Sequence, residues 1–308
     1  DGVSHQVIET SDTGSIEWAF LVPKSGLYNV YVKYYSRGNT TAAIERGIAI
    51  NGKFPFNELR SYKFNIIFEN ENEIRQDARG NDLRPMQIEK SMWQVQPLRD
   101  ITGFHMQPYE LYFSKGENTI TFIGEKQPVI IAEIVLYREN EIKPYRKVLE
   151  DYDLKNYSSA KDFEKRIQGE DAIYKSDSTL YPVFDRSSPL TEPYSPRNIR
   201  LNTIGGINWR MPGQWIEWEV DVPESGLYNL GIKYRQNIIR GINSHRKVYV
   251  NGVVPYEELF NVPFSFGSGW QAKTLSDENG EGFLIYLEQG KNMIRMEAVL
   301  GGLSSVIE

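Results

Sequence analysis

The chain has 308 residues, about twice a typical domain of ~150, so two domains are the first expectation. Its net charge of −6 argues against nucleic acid or an anionic membrane surface as partner, and the absence of cysteine removes disulfides, thiolate nucleophiles and zinc ribbons. The 19 Tyr, 14 Phe and 6 Trp are a high aromatic load that favours strands, and no run approaches the ~18 apolar residues of a membrane span.

The chain opens at Asp1 rather than Met and stops within the pattern Leu303-Ser304-Ser305-Val306-Ile307-Glu308. It reads as a processed or trimmed piece of a larger protein, in which a signal peptide would be invisible. Ile16-Glu17-Trp18 begins a strand that Val22-Pro23 closes, and Ser25-Gly26 turns the chain into a second strand through Tyr28 and Tyr34. Ile48 and Ile50 point inward before Asn51-Gly52, the preferred two-residue hairpin turn because both residues tolerate positive φ. A stretch rich in Glu, Asn and Arg follows over 65–90. Beyond it come Trp93 and a strand pair around Gly116-Glu117-Asn118.

Pro144 to Phe163 loses the alternation and predicts a short helical connector, and 185–202 reads as a Pro- and Ser-rich irregular loop. Then the first pattern returns. Positions 14–64 and 214–264 align without a gap, 19 of 51 pairs being identical, among them Ile216-Glu217-Trp218, Ser225-Gly226-Leu227-Tyr228-Asn229, Arg246 and Asn251-Gly252. Trp270 answers to Trp93, and Gly290 and Asn292 to Gly116 and Asn118, once the 65–90 insertion of the first copy is skipped. Short antiparallel strands at this spacing predict an all-β chain of two tandem β-sandwiches. The boundaries are 1–142 with the insertion at 65–90, a connector at 143–165, and 166–308.

Gly213-Gln214-Trp215-Ile216-Glu217-Trp218 through Val222-Pro223-Glu224-Ser225-Gly226-Leu227-Tyr228, with the Val250-Asn251-Gly252 hairpin and the Gly290-Lys291-Asn292 turn, resembles the core of carbohydrate-binding modules of families 6 and 35. Gln168-Gly169-Glu170-Asp171-Ala172 resembles their acidic first strand. These segments, with Gly80-Asn81-Asp82-Leu83-Arg84-Pro85, Tyr181-Pro182, Arg186-Ser187-Ser188-Pro189, Asn202-Thr203-Ile204-Gly205-Gly206 and Trp209-Arg210, look like large Gram-positive extracellular solute-binding proteins of sugar ABC transporters. The resemblance implies a galactose-binding-like jelly roll, extracellular placement in a lipoprotein-anchored larger protein, and contact with an oligo- or polysaccharide. Where the family offers an Asp for structural calcium, this chain has Ala132.

Sugars are held by aromatic faces beside charged or amide side chains, which singles out Trp209 with Asn208 and Arg210, Trp270, and its counterpart Trp93. Each Trp can equally be a sandwich core residue. Arg46, repeated as Arg246, could clamp a sugar hydroxyl or pair with Glu17 or Glu217; Arg235, Arg240 and His245 occur only in the second copy. Gln168 and Glu170, at i and i+2 on an expected strand, would supply half of a Ca2+ site. His5, His105 and His245 are isolated and no catalytic motif is present, so a non-enzymatic role is expected. The alternative to glycan binding is a scaffold that packs on a solute-binding or catalytic domain without touching sugar.

Overall fold

The computed structural model describes residues 6–38, 42–103, 105–138, 141–160 and 163–301. His5, Lys161, Asp162 and the Leu303–Glu308 pattern lie outside these described residues. In chain order the first strands are β1 (Ile8–Thr10), β2 (Ser15–Val22), β3 (Gly26–Ser36), β4 (Ile44–Ile50), β5 (Tyr62–Phe64), β6 (Phe68–Asn70), β7 (Arg75–Gln76), β8 (Asp82–Leu83), β9 (Gln87–Glu89), β10 (Trp93–Pro97), β11 (Leu111–Phe113), β12 (Gly116–Lys126) and β13 (Val129–Tyr137). After helix α1 (Tyr145–Leu154) come β14 (Tyr174–Lys175), β15 (Pro182–Val183), β16 (Thr203–Ile204), β17 (Trp215–Val222), β18 (Gly226–Tyr228), β19 (Gly231–Tyr234), β20 (Ser244–Val250), β21 (Val262–Phe264), β22 (Gln271–Thr274), β23 (Ile285–Leu287) and β24 (Gly290–Val299). The chain is all-β, with antiparallel pairing throughout the sheets whose register is resolved.

Two compact units result: residues 1–68 with 88–140, and residues 69–87 with 141–308. In the first unit, one sheet runs β1-β13-β3-β10, with β11 also on β3, and the other runs β2-β12-β4-β5. The alternation in β3 explains the core: Val30, Val32 and Tyr34 are fully buried, while Tyr31, Lys33 and Tyr35 face the other way. From the second sheet Ile48, Ile120 and Phe122 meet them. Asn51 (φ 49°) and Gly52 (φ 73°) form the expected hairpin turn, and Asn251 (φ 50°) with Gly252 (φ 83°) repeats it.

In the second unit a sheet in the order β21-β20-β24-β17-β14-β6-β9 faces the pairs β19-β22 and β18-β23. Val248, Val250, Leu259, Ile285 and Met296 build its core. The helical connector forms only over Tyr145–Leu154, and it is no free linker. Val148 is buried in this core, and the Tyr145 ring lies 4.8 Å from both Tyr256 and Phe283.

Two expectations need correction. The insertion does not stay with the first sandwich: Glu69 to Gln87 belong to the second unit. Lys175, fully buried on β14, donates to Asn70 Oδ1 at 2.7 Å and Gln87 Oε1 at 3.0 Å, and Asp82 pairs with Arg200 at 2.9 Å. A buried ammonium needs such acceptors, and here the insertion supplies them. Second, the expected strand carrying Gln168 and Glu170 is a 3-10 turn over Gly169–Asp171, with the Trp218 indole donating to Gly169 O at 2.9 Å. A turn does not place i and i+2 on one face, so the premise of the half-site fails.

Candidate functional site

The outward face of β3 carries a row of aromatic rings. Antiparallel register sets Trp93 opposite Tyr35, Val95 opposite Lys33 and Pro97 opposite Tyr31. On the other flank Ile130, Glu133 and Val135 face the same three residues. A register shift between Ile131 and Glu133 puts Glu133 beside Lys33. The Tyr35 and Trp93 rings are 5.4 Å apart at 58°, those of Tyr31 and Tyr137 5.6 Å apart at 53°, and Lys33 Nζ lies 5.9 Å from the Trp93 ring centre. Val95, between them, is 59% exposed, so the face is open to solvent. Rings on such a face offer apolar area while Lys33 and Glu133 offer polar grips. Of this set the sequence reading found only Trp93. The signal for the rest was the spacing of Tyr31, Lys33 and Tyr35, two residues apart on a strand whose intervening positions are core.

The equivalent face of the second unit is built differently. Lys233 stands opposite Ala272 in the β19–β22 pair, and the Arg235 guanidinium sits 5.3 Å from the Trp270 ring centre. A loop segment crosses it. Asp185 Oδ2 accepts from the Trp270 indole at 3.0 Å and from Arg235 at 2.9 Å, while its Oδ1 accepts from Ser187 N at 2.6 Å. Arg235 also donates to Ser187 Oγ, and Lys233 to the Leu190 carbonyl. Burial opposes ionisation of Asp185, but the Ser187 bonds, the Arg235 charge and the Trp270 donor together hold its carboxyl below the usual range. Arg235 and Trp270 are thus brought together, with their polar atoms spent on holding the loop.

The other sequence-predicted residues scatter. Trp209 is half-buried, its indole donating to Gln214 O at 3.0 Å and its ring carrying the Arg246 guanidinium at 4.2 Å. Gly205 makes room for this ring: a Cβ there would stand 3.0 Å from Trp209 Cε3. Asn208 ends a short 3-10 turn, and Arg210 is exposed, touching Gln214 Oε1 only through its backbone N–H. Arg240 is exposed on a turn among Ile238, Ile239 and Ile242, all largely exposed. His245 is half-buried on β20 against Gly301, where any Cβ would clash with its ring. Burial pushes its pKa down, the neighbouring Asn261 side chain opposes this, and the charges of Arg246 and Lys273 add to it.

Arg46 is fully buried and cannot reach a sugar. Nor does it pair with Glu17. It donates to Thr10 Oγ1 at 2.9 Å and to the carbonyls of Lys126 and Gln127 at 3.0 and 2.7 Å, while Glu17 accepts from Thr121 Oγ1. Glu217 likewise pairs with Arg295, at 2.9 Å, rather than Arg246.

For calcium, Gln168 is half-buried and Glu170 is buried with Oε2 lacking a hydrogen-bond partner. Burial pushes the Glu170 carboxyl up to about 7, with Asp171 and Asp82 adding to the rise against a backbone hydrogen bond. Among the described residues no three His, Cys, Asp or Glu side chains converge. Glu170 would bring at most two of the 6–8 oxygens that Ca2+ takes.

No protein-family model and no curated protein matches the chain. Among solved structures it is similar to a family 35 carbohydrate-binding module from Clostridium thermocellum, at 22% identity and TM-score 0.30 over 44% of this chain and 85% of that one. It is also similar to a cycloisomaltooligosaccharide glucanotransferase from Paenibacillus sp. complexed with cycloisomaltoheptaose (19%, TM-score 0.32, covering 53% of this chain and 22% of that one). A third is a family 26 glycoside hydrolase β-(1,4)-mannanase with a family 35 module from Podospora anserina (20%, TM-score 0.29, covering 44% and 24%).

Proposed function

We propose that the chain is a non-catalytic carbohydrate-binding protein, and that the open face of the first unit is where the sugar lies. The observation that carries this reading is the set Tyr31, Tyr35 and Trp93 on one solvent-facing sheet surface, with Lys33 and Glu133 between and beside them. Pyranose rings present C–H faces that pack on aromatic rings and hydroxyl pairs that charged groups grip, and both are within one strand spacing here. A larger extracellular, surface-anchored protein that feeds a sugar transporter is the context in which such a unit would serve.

The test is affinity electrophoresis of the whole chain against a panel of soluble plant, bacterial and host polysaccharides. Retardation by at least one is expected, with Trp93→Ala and Tyr35→Ala each weakening it about tenfold, the scale of one lost aromatic contact. Trp270→Ala should leave retardation intact, because that ring anchors a loop. Retardation lost in Trp270→Ala but kept in Trp93→Ala would move the site to the second unit. No retardation across the panel would favour the scaffold reading, for which the exposed Ile238, Ile239 and Ile242 speak.

A further inference from the structure

β17 and β20 both pair antiparallel with β24, with Trp215 and Lys247 on either side of Glu297. The segments that feed these two strands, 205–214 and 235–243, therefore leave the sheet at the same end, about 10 Å apart. Both expose aliphatic side chains there. Ile207 and Met211 on the first, with Ile238, Ile239 and Ile242 on the second, are 42% to 57% exposed. The sandwich does not need the isoleucines of the second segment for its fold, since the first copy has Gly38, Asn39 and Ala42 in their places. Arg210 and Arg240 stand exposed among these residues, and among the described residues neither guanidinium has a carboxylate partner.

The backbone at both tips is satisfied from within. Gln236 Oε1 accepts from Ile238 N at 3.2 Å, and its Nε2 donates to the carbonyls of Ile239 at 3.0 Å and Ile242 at 2.7 Å. Gln214 does the same for the other segment. Its Oε1 accepts from Arg210 N at 3.1 Å and Met211 N at 3.0 Å, and its backbone N–H donates to Met211 O at 3.2 Å. In each case an amide side chain is spent on main-chain groups beneath exposed aliphatic residues. A partner protein can satisfy such groups across an interface. Hydrocarbon offers them nothing, so a segment that enters a bilayer must satisfy its backbone internally.

We propose that this end of the second unit rests on a phospholipid bilayer, its five aliphatic side chains entering the interface while Arg210 and Arg240 reach back to lipid phosphates. The net charge of −6 opposes attraction to an anionic surface, so apolar burial drives the contact. Zwitterionic lipids carry the phosphates that the two arginines need. The open face of the first unit plays no part, so this contact and sugar binding stand or fall separately.

The test is co-sedimentation of the whole chain with phosphatidylcholine vesicles. Binding is expected, and it should change little between about 0.1 and about 0.5 M salt, because screening weakens only charge. Ile238→Ser combined with Ile239→Ser should weaken it at least about tenfold with an unchanged circular dichroism spectrum, both side chains being exposed. The chain has no cysteine, so one introduced label reports one position. An environment-sensitive dye on Ile239→Cys should shift to the blue on vesicles. The same dye on Glu278→Cys, in the loop at the opposite end of the β19–β22 pair, should not. Absence of co-sedimentation, or an equal blue shift at both positions, overturns the proposal. So does binding that high salt abolishes. Oligomers of the lipid-free chain that the double serine variant disperses would give this end to a second copy, and would overturn it too.

Discussion

Glu170 is buried without a partner for Oε2, and its carboxyl is raised from the ordinary 4.5 to about 7, chiefly by burial. A raised folded-state value means that the fold prefers the protonated carboxyl. Its contribution is therefore complete below about 4.5 and is lost as pH rises through about 7. Between those limits the native state should lose roughly 2 to 3 kcal/mol from this group. Glu170→Gln keeps the shape and removes the titration, so its melting temperature should stay level where that of the natural chain falls. Melting curves at about pH 5 and about pH 8 check this, and a natural chain whose Tm does not fall would refute it. Calcium that raised Tm at the higher pH in the natural chain, and not in Glu170→Gln, would put a cation on this carboxyl after all. The same scale shows why the roles of Arg46 and Trp209 are not legible in the sequence. Their partners are main-chain carbonyls of Lys126, Gln127 and Gln214, and a carbonyl has no signature in a sequence.

The two Asn-Gly hairpins carry the same lock. Asn51 Nδ2 donates to Asn118 Oδ1 at 3.0 Å, and Thr119 N donates to Asn51 Oδ1 at 2.8 Å; Asn251, Asn292 and Met293 repeat both distances. Asn51→Ala removes both bonds and forces an alanine to φ 49°, so it should cost about 2 kcal/mol in urea unfolding. Asn51→Gly, which tolerates that φ, should cost about half as much. Equal losses would mean that the backbone conformation is immaterial there. These hairpins, the inward Ile48 and Val248, and the two-copy plan were legible because each depends on neighbours within a few residues. The open face of β3 was half legible: its period of two is in the sequence, but only pairing with β10 brings Trp93 to Tyr35. The insertion was not legible at all, since Asn70 and Lys175 meet across 105 positions and polar residues do not announce a strand.

At the scale of the whole molecule the two sandwiches are unequal debtors to that insertion. In the first unit its removal leaves the ends already joined, Lys90 N donating to Ile67 O at 2.7 Å. Residues 1–140 with 69–87 replaced by a short Gly-Asn turn should therefore fold as a monomer with an intact β spectrum. Residues 141–308 alone should not fare as well. Lys175 would lose Asn70 and Gln87, and Arg200 would lose Asp82. Leu201 N would lose Asp82 Oδ2, and Tyr181 the Arg84 guanidinium 3.9 Å from its ring. Two hydrogen bonds to a buried ammonium alone are worth more than about 2 kcal/mol, and the stripped β14 edge invites aggregation. Size-exclusion chromatography and urea unfolding of the two pieces should show this asymmetry. Adding a synthetic 69–87 peptide should restore the second piece and leave the first unchanged. A second piece as stable without the peptide as with it would mean that the insertion is a passenger on β14, and the buried Lys175 would then need another acceptor.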